Sequence, residues 1–179
     1  MKLSILICTI IGRENYLERL MNILNKQKND EIEILIECDD KKISIGEKRN
    51  KLMEKAKGDY ICYVDDDDIV SEDYVVRILE ALKSNPDAVG FTAVITIDGN
   101  NPKLVYSSNS NSWSKKNDVF LRPIQHLNPV KRNLALQCRF SHISQREDEI
   151  YSNKLSDFIK TEVVLENPPV YFYEYTSRK

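Results

Sequence analysis

Apolar residues in the first half of the chain recur with the periods of strands and of helices in turn. Residues 3–9 form an apolar run with β-branched members, which is typical of a strand buried on both faces. The next apolar positions have the spacing of one helix face and are Leu17, Leu20, Met21 and Leu24. Residues 31–38 and 60–64 are predicted to be the second and third strands, and Asp65 follows directly.

Capping signals mark the helices between and after these strands. Ser44 and Glu47 have the spacing of a capping box, so we expect a helix to begin there and to end before Gly58. Its apolar stripe would contain Ile45, Leu52, Met53 and Ala56. Ser71 is expected to cap a further helix, whose stripe would be Val75, Ile78, Leu79 and Leu82.

The order of these elements, βαβαβα, favours a mainly parallel sheet covered by helices. Ligands of such sheets bind in the crevice at the carboxyl ends of the strands. This rule predicts one crevice lined by Thr9, residues 38–40 and residues 65–68, although these positions are far apart in the sequence.

The second half has a pattern of strands and turns. A strand is predicted over 88–97, and the turn cluster 98–102 would return the chain in a hairpin over 103–106. Residues 109–118 are mostly Ser, Asn and Lys around Trp113, so they are interpreted as a mobile loop. Residues 119–124 then have the composition of another strand.

The remaining segment is predicted to contain two helices and two short strands. Asn128 and Pro129 have the N-cap and N1 signature of a short helix. Ser144 and Glu147 have capping-box spacing again, which predicts a helix to about Ile159. Short strands are expected over 163–165 and 170–175. Because no internal repeat or linker is visible, residues 1–179 are interpreted as one domain.

The composition is that of an ordinary globular protein, with 41% hydrophobic and 30% charged residues. A formal net charge of −2 argues against a broad basic surface for nucleic acid or anionic membrane. No apolar run approaches the roughly 20 residues of a membrane span. The apolar N-terminus is interpreted as a buried strand rather than a signal peptide, because it has no A-x-A-like cleavage site.

The cysteines indicate a reducing compartment. Cys8, Cys38, Cys62 and Cys138 form no C-x-x-C pair, so they are interpreted as free buried thiols rather than disulfides or zinc ligands. We therefore expect a cytoplasmic protein, in the host cytoplasm if the source is viral. Contact with a membrane surface is left open.

The run of four aspartates at 65–68 is the strongest chemical signal in the sequence. Adjacent carboxylates repel one another and resist burial, so after a buried strand they need a compensating cation. A divalent metal bound to a diphosphate would supply it, because hard cations prefer oxygen ligands. A solvated acidic turn before the next helix is the alternative.

Arg49 is a second candidate for charge chemistry. It lies on the apolar stripe of its helix, at i+4 from Ile45, so its guanidinium needs an anionic partner. Either a pyrophosphate or one of the aspartates of the protein itself would serve.

Taken together, these pieces resemble glycosyltransferase family 2. The resemblance covers most of the chain, and its specific part is the ordered set of residues 46–50, 56–60 and 65–68, preceded by 3–13 and 37–40 and followed by Glu147 and Asp148. It implies a GT-A type, Rossmann-like α/β fold of three layers with a mainly parallel central sheet. Residues 1–98 would then bind a nucleotide sugar and residues 99–179 an acceptor.

The resemblance also implies roles for the aspartates. Residues 65–67 would be the D-x-D motif, with Asp67 as a ligand of Mn²⁺ or Mg²⁺ and Asp65 in contact with the ribose or, through water, with the metal. Asp66 would lie at the nucleotide sugar with them, and Asp68 would shape the loop or touch the sugar. Asp39 would contact the nucleotide base, with Asp40 as its alternative.

Further site residues follow from the same resemblance. Thr9 and Arg13 would lie beside the base and the diphosphate, and Arg49 would contact the donor. Asp148 would be the general base, with Arg146 in the place of the glycine of the usual Gly-Glu-Asp pattern; a role at the start of the helix is its alternative. From its own position at the end of a predicted strand, His126 is a candidate ligand of a metal or a diphosphate, and a structural loop histidine is the alternative. Tyr106 and Trp113 are candidates for stacking on an acceptor sugar.

The predicted function is sugar transfer, of the hexosyltransferase type, from a nucleoside-diphosphate sugar to a carbohydrate or other hydroxyl acceptor, with inversion at the anomeric carbon. Nucleic acid is not expected as a partner. Two alternatives remain open: an inactive nucleotide-sugar-binding protein on the same fold, and a phosphatase of the haloacid dehalogenase type. The second fits less well, because its nucleophilic Asp normally ends the first strand and here the motif ends the third.

Overall fold

A computed structural model describes residues 1–176 of the chain. The last three residues of the predicted domain, 177–179, lie outside this description. The strands in the described part are β1 (Leu3–Ile10), β2 (Ile32–Asp39), β3 (Tyr60–Tyr63), β4 (Ile69–Val70), β5 (Ala88–Ile97), β6 (Asn100–Ser107), β7 (Ser114–Lys116), β8 (Val119–Arg122), β9 (Val130–Lys131), β10 (Glu162–Leu165) and β11 (Tyr171–Tyr175). The α-helices are α1 (Glu14–Leu24), α2 (Ile45–Lys55), α3 (Tyr74–Ala81), α4 (Arg132–Cys138) and α5 (Glu147–Ser156).

All described strands belong to one mixed sheet whose main path runs β2-β1-β3-β9-β5-β6-β8-β7. The strands β2, β1 and β3 are parallel, as predicted from the βαβ order. Strands β10 and β11 both add to β5 in parallel, whereas β6 returns antiparallel to β5. Strand β11 also pairs with β4, which follows the aspartate run, so the end of the chain lies beside that run.

Two apolar clusters cover the two faces of the sheet, which gives three layers. Because side chains alternate along a strand, Leu3, Ile5 and Ile7 of β1 pack with α1 and α3, while Leu6 and Cys8 pack with α2, α4 and α5. Each fully buried side chain of this size contributes about 1.5–3 kcal/mol by burial. The predicted α/β architecture with a parallel core is therefore confirmed.

The capping box at Ser44 is confirmed, because its hydroxyl accepts the backbone N–H of Glu47 at 3.2 Å. The predicted role of Gly58 is wrong. Helix α2 ends at Lys55 with an extended Ala56, and Gly58 has no left-handed φ. Instead, Gly58 lies against β1: its N–H donates to Ser4 Oγ at 2.8 Å, and a Cβ at this position would lie 2.7 Å from the Ser4 nitrogen.

Two other predicted caps are also wrong. The Ser71 hydroxyl donates to the Asp73 carboxylate, and α3 begins only at Tyr74. Helix α5 begins at Glu147, and the side chain of its N-cap residue, Arg146, makes no capping hydrogen bond. The Ser144 hydroxyl accepts the N–H of Ile45 on α2 instead. In both cases the hydroxyl binds another partner instead of a helix N–H group.

The segment at 128–129 does not begin a helix. Asn128 is buried, and its side-chain amide donates to Val89 O while its Oδ1 accepts from Ser107 and from the N–H of Gln125. The chain then forms β9, and α4 begins three residues later than Pro129, at Arg132. Tertiary hydrogen bonds thus replace the predicted cap.

The polar segment 109–118 is only partly the loop that the sequence predicts. Residues 114–116 are β7, which forms a hairpin with β8 through a turn in which Asn117 and Asp118 have φ of 50° and 62°. Trp113 stacks on Arg122, with its ring centroid 4.8 Å from the guanidinium carbon.

The four cysteines are free, as predicted, but Cys38 is exposed rather than buried. Burial raises the pKa of the Cys8 and Cys62 thiols to about 12, so both are neutral thiols at physiological pH. Among residues 1–176, no helix has the length and apolar composition needed to cross a bilayer.

Candidate functional site

The carboxyl ends of β1 and β3 open into a cleft of about 430 Å³. Its lining residues are Arg13, Tyr16, Asp65, Asp67, Asp68, Ile95, Tyr173, Glu174, Tyr175 and Thr176. A smaller cavity of about 120 Å³ adjoins it through Arg13 and contains Thr9, Lys48 and Asp66. A crevice is therefore present where the parallel-sheet rule predicts it for residues 65–68, with Thr9 in the adjoining cavity. Residues 38–40 line neither cavity, and residues 109–118 do not line the cleft.

Arg13 occupies the centre of the acidic run. Its Nη2 lies 2.7 Å from Asp66 Oδ1 and 2.8 Å from Asp67 Oδ2, and its Nε donates to Asp66 Oδ2 at 2.9 Å. The Thr9 hydroxyl donates to the same Asp66 oxygen at 2.6 Å. Burial nevertheless raises the pKa of Asp66, and the neighbouring charge of Asp67 adds to this. One guanidinium thus pairs with two of the four aspartates and offsets part of their charge.

Asp67 is the most accessible carboxylate of the run in the cleft, with 43% of its side chain exposed. Its backbone carbonyl accepts from Arg19 Nη2 at 2.6 Å, which fixes the turn. The backbone of Asp67 is therefore fixed by Arg19, while part of its side chain is accessible to a ligand in the cleft.

Asp68 has a different environment from its neighbours. It is buried, and its carboxyl group accepts the Tyr171 hydroxyl at 2.7 Å and the Glu174 N–H at 3.0 Å. Burial, together with the charge of Asp65, raises the pKa of Asp68 to about 8. Because the partners of Asp68 belong to β11, the residue holds the end of the chain against the cleft, in line with the loop-shaping role predicted for it.

Asp65 lies between a histidine and an arginine. His126 Nε2 is 3.5 Å from Asp65 Oδ2, and Arg49 Nη2 is 3.3 Å from Asp65 Oδ1. Although burial raises the pKa of Asp65, His126 and Arg49 outweigh it and lower that pKa well below its ordinary value. Asp65 is therefore an anion at any physiological pH, and 35% of its side chain is exposed in the cleft.

Arg49 joins the aspartate run to the start of α5. Its Nη1 donates to Glu147 Oε1 at 2.6 Å, across 98 residues of sequence, while Nη2 contacts Asp65. Both Arg49 and Glu147 are buried. The charge of Asp65 and of Glu147 keeps the pKa of Arg49 above its ordinary value although burial opposes it. Glu147 is thus a tertiary partner of Arg49 and not the local cap that its spacing predicts.

Asp39 and Asp40 are clearly different in the structure. Asp39 pairs with the buried Lys48, whose Nζ also donates to the Thr9 carbonyl at 2.7 Å, and its Oδ2 accepts the Ile43 N–H at 3.1 Å. Hydrogen bonding by Lys48 lowers the pKa of Asp39. Asp40 is more exposed and pairs with Lys42 at 2.6 Å. Only Asp39 is tied to the cavity that contains Thr9.

Asp148 lies in the first turn of α5, partly exposed, and its Oδ1 accepts the N–H of Glu149 at 2.8 Å. It does not line the cleft, but the adjacent Glu147 is linked through Arg49 to Asp65. The preceding Arg146 has φ 61° and ψ 13°, the left-handed conformation that glycine adopts freely. The arginine in the glycine place therefore keeps the glycine-like backbone.

The donor set of the cleft suits a hard divalent cation completed by a ligand. Asp65 and Asp67 present carboxylate oxygens in the cleft, and Mg²⁺ is commonly held by one or two carboxylates plus substrate phosphates. Within residues 1–176, no group of three or more His, Cys, Asp or Glu side chains is arranged to hold a metal alone. His126 is 5% exposed and does not line the cleft. A cation here would rely on the two aspartates and on oxygens of a bound ligand.

Several residues of the site were not predicted from the sequence. Tyr173, Glu174 and Tyr175 line the cleft from β11, and Lys48 binds Asp39 and Thr9 O. Lys48 adjoins Arg49 on α2, so its place on a helix that faces the crevice was an available signal. The β11 residues carried no such signal, because only sheet pairing brings them to the aspartates.

Comparison with known proteins gives a family and a fold. Residues 39–144, more than half of the chain, match the family described as Glycosyl transferase family 2. No curated protein matches the chain.

Solved structures of similar fold include TarS of S. aureus, residues 1–349, in complex with UDP, with a TM-score of 0.76 and 16% identity over 97% of this chain and 60% of that chain. The complex of the same TarS fragment with UDP-GlcNAc gives a TM-score of 0.75 and 16% identity over 100% of this chain and 59% of that chain. The structure of GalNAc-T7 with UDP, GalNAc and Mn²⁺ gives a TM-score of 0.67 and 11% identity, over 99% of this chain and 44% of that chain. The chain thus spans about 60% of the TarS fragment that it matches.

Proposed function

The chain belongs to glycosyltransferase family 2 and has the GT-A fold, and from this premise we propose that it transfers a sugar from a nucleoside-diphosphate sugar to an acceptor hydroxyl, with the help of a divalent cation. The observation that carries the proposal is the cleft at the end of β3. There Asp65 and Asp67 present anionic oxygens, and Arg13 presents a cation, within about 430 Å³. Solved structures of this fold contain UDP, UDP-GlcNAc or Mn²⁺.

The donor would be held by charge complementarity. Asp67 and Asp65 would hold Mn²⁺ or Mg²⁺, which on binding would offset the negative charge that develops on the leaving diphosphate. Arg13 would turn from the aspartates toward the diphosphate, and Thr9 and Asp39 would lie beside the base. Arg49 is already engaged by Glu147 and Asp65, so its contribution to donor binding would be to hold Asp65 in place.

Asp148 would take the proton from the acceptor hydroxyl as that oxygen attacks the anomeric carbon, which gives transfer with inversion. The link from Asp65 through Arg49 to Glu147 supports this role, because it fixes the start of α5 relative to the aspartates. Residues 99–179, which contain Asp148, would form the acceptor-binding part. Hexose transfer is the expected type.

The first test is a thermal-shift screen of UDP-, GDP-, dTDP- and ADP-sugars with and without Mn²⁺. A native-state ligand at 100 times its Kd raises stability by about 2.7 kcal/mol. We expect one nucleotide class to raise the Tm only when Mn²⁺ is present. If no nucleotide sugar changes the Tm and none binds by calorimetry, the proposal is wrong.

The second test uses the donor found in that screen and measures its slow hydrolysis, with water as acceptor. Asp148→Asn is expected to reduce this rate at least 100-fold while donor affinity changes less than threefold, because a general base contributes about 10²–10⁴ in rate. Asp157→Asn, at an exposed position just after the same helix, is the matched control. Equal rates in all three proteins would remove Asp148 from its role. Donor binding without turnover in the wild type would favour the inactive binding protein, and phosphate release from simple phosphate esters would favour the phosphatase.

A further inference from the structure

A second cavity, of about 380 Å³, lies at the opposite edge of the sheet from the cleft. Its lining residues are Lys2, Lys57, Gly58, Asp59, Tyr60, Asn85, Lys131, Arg132 and Asn133. It surrounds the amino-terminal ends of β1 and β3, whereas the aspartate run follows the carboxyl end of β3. Tyr60 and Asp65 are five residues apart along an extended chain, so the two sites are separated by roughly 16 Å. No part of the proposed reaction uses this cavity.

The cavity has more cationic groups than anionic ones. Four side chains of its lining carry positive charge and only Asp59 carries negative charge. Asp59 lies 3.8 Å from Lys2 Nζ, and 69% of its side chain is exposed, so it neutralises the cavity poorly. This surplus is local, since the formal charge of the whole chain is −2.

The carboxylates just outside the cavity are already occupied. Asp87 accepts Lys131 Nζ at 3.0 Å and also the N–H groups of Lys160 and Thr161. Glu33 accepts the Ser4 hydroxyl and the N–H of Lys57, each at 2.6 Å. Lys131 is therefore largely balanced by Asp87, while the other cations keep unused donor capacity.

Arg132 has a buried hydrogen-bond donor without a partner in the described part of the chain. Its backbone N–H donates to Asp59 O at 2.8 Å, which fixes the residue at the cavity wall. Its Nε is buried and has no hydrogen-bond partner among residues 1–176. A buried guanidinium nitrogen without an acceptor is costly. No partner in that part of the chain fixes this nitrogen, so the side chain, which lines the cavity, can turn its guanidinium toward an anionic oxygen ligand there.

The remaining walls are held rigidly. Lys2 Nζ lies 5.1 Å from the centroid of the Tyr60 ring, and the Tyr60 hydroxyl donates to Pro86 O at 2.7 Å. Gly58 packs so closely on β1 that no side chain fits there, which keeps this side of the cavity open. The cavity is thus a preformed basic recess.

We propose that this recess binds a phosphate group through Arg132, Lys57 and Lys2. Phosphate matches the planar donors of an arginine and the point charges of lysines. The volume exceeds that of one phosphate, so the group would belong to a larger molecule, either a phosphorylated soluble compound or the headgroup of an anionic lipid. Bound there, the molecule would be anchored to the sheet without entering the cleft.

The experiment titrates inorganic phosphate and pyrophosphate into the ¹⁵N-labelled full chain. We expect saturable shifts of the amide signals of residues 57–58 and 132–133. The double variant Lys57→Gln/Arg132→Gln should weaken this binding roughly tenfold or more. Lys116→Gln, which removes one positive charge in β7, should leave it unchanged. An unchanged Tm and spectrum elsewhere would show that the double variant remains folded.

Sedimentation with phosphatidylglycerol vesicles, and with phosphatidylcholine vesicles as the neutral control, identifies the source of the phosphate. Binding to the anionic vesicles that the double variant loses would support a lipid headgroup. Binding of free phosphate alone would support a soluble phosphorylated ligand. The proposal is wrong if no probe produces saturable shifts at residues 57–58 and 132–133. It is also wrong if the wild type and the double variant bind the probes equally.

Discussion

Arg13 is the residue on which the charge balance of the cleft depends. It contacts Asp66 and Asp67 with three short bonds, so the guanidinium occupies oxygens that a cation would need. A metal at Asp67 would therefore compete with Arg13 until a diphosphate gave the guanidinium another anion. The observed pairing with Arg13 also offsets part of the repulsion between Asp66 and Asp67.

Replacing this residue should separate cation binding from nucleotide binding. Arg13→Ala is expected to bind Mn²⁺ alone about tenfold more tightly than the wild type, a change of roughly 1.4 kcal/mol, because Asp67 loses its internal partner. Calorimetry or manganese EPR measures the affinity. Arg77→Ala is the control, because the guanidinium of Arg77 donates to Pro168 O and does not line the cleft. Mn²⁺ binding that is unchanged or weaker in Arg13→Ala would contradict the competition.

At the scale of elements, close backbone packing decides which residues are tolerated. Helix α2 begins against the segment that follows α4: the Gly46 N–H donates to Ile143 O at 3.2 Å, and a Cβ on Gly46 would lie 1.9 Å from Ser141 O. Asn50 on the same helix exchanges two hydrogen bonds with the backbone of Phe140. These contacts hold α2, and with it Arg49, in position.

Gly46→Ala is therefore expected to destabilise the protein by about 3 kcal/mol, because the added methyl group meets backbone rather than a flexible side chain. Urea unfolding measures the loss. Gly12→Ala provides the comparison, since a Cβ at Gly12 meets nothing within 4 Å although its φ is +92°. We expect it to cost about 1–2 kcal/mol through backbone strain alone. Equal losses at the two glycines would show that packing at Gly46 is not the cause.

Asp87, just before β5, binds Lys131 of β9 and the backbone of residues 160–161 before β10. Its ionisation should therefore make the free energy of unfolding depend on pH. Burial opposes its charge, but Lys131 and the backbone N–H groups of Lys160 and Thr161 lower the pKa of Asp87 to about 2. Because the folded pKa lies below the ordinary 3.8, this stabilisation is complete above about pH 4 and is lost as the pH falls toward 2.

Asp87→Asn should consequently lose roughly 2 kcal/mol at pH 7 and should lose less stability than the wild type between pH 4 and pH 2. Denaturant unfolding at several pH values measures both effects. Asp30→Asn, at an exposed position, is expected to change stability by less than about 0.5 kcal/mol. Parallel curves for wild type and Asp87→Asn across the acid range would show that Asp87 is not the titrating group.

At the scale of the whole molecule, β11 forms one wall of the cleft. Strand β11 pairs with β5 and β4, and Asp68 binds the Tyr171 hydroxyl and the Glu174 N–H. The apolar cluster that contains β1 and α1 also contains Val170 and Tyr171. The two predicted halves thus share one core. We therefore expect ligand binding in the cleft to stabilise segments of both halves.

Hydrogen exchange with and without UDP and Mn²⁺ tests this coupling. We expect slower exchange in three segments that line the cleft, residues 13–16, 65–68 and 173–176, because bound ligand suppresses opening of the native state. The β7–β8 hairpin, residues 114–122, should be unaffected, since it contributes no residue to the cleft. Protection of the hairpin instead would contradict the expectation that only segments lining the cleft respond to the ligand.

The sequence alone determined the architecture and the location of the site. Apolar periods mark strands that are buried on both faces and helices with one apolar stripe, and these periods depend only on local geometry. The parallel order of β1, β2 and β3 then brings Thr9, Asp39 and the aspartate run to one edge, because the strands point the same way. Capping signals were less informative: the predicted cap at Ser44 is present, but the hydroxyls of Ser71 and Ser144 bind other partners.

Only the tertiary structure decided how the charges of the site are paired. Arg49 meets Glu147 across 98 residues, Arg13 meets Asp66 across 53, and Tyr171 meets Asp68 across 103. Such pairs have no period or spacing in the sequence, because a charged side chain binds whichever partner the packed elements bring within about 3 Å. The pairing sets which aspartates are free to bind a ligand, and it follows from the folded chain as a whole.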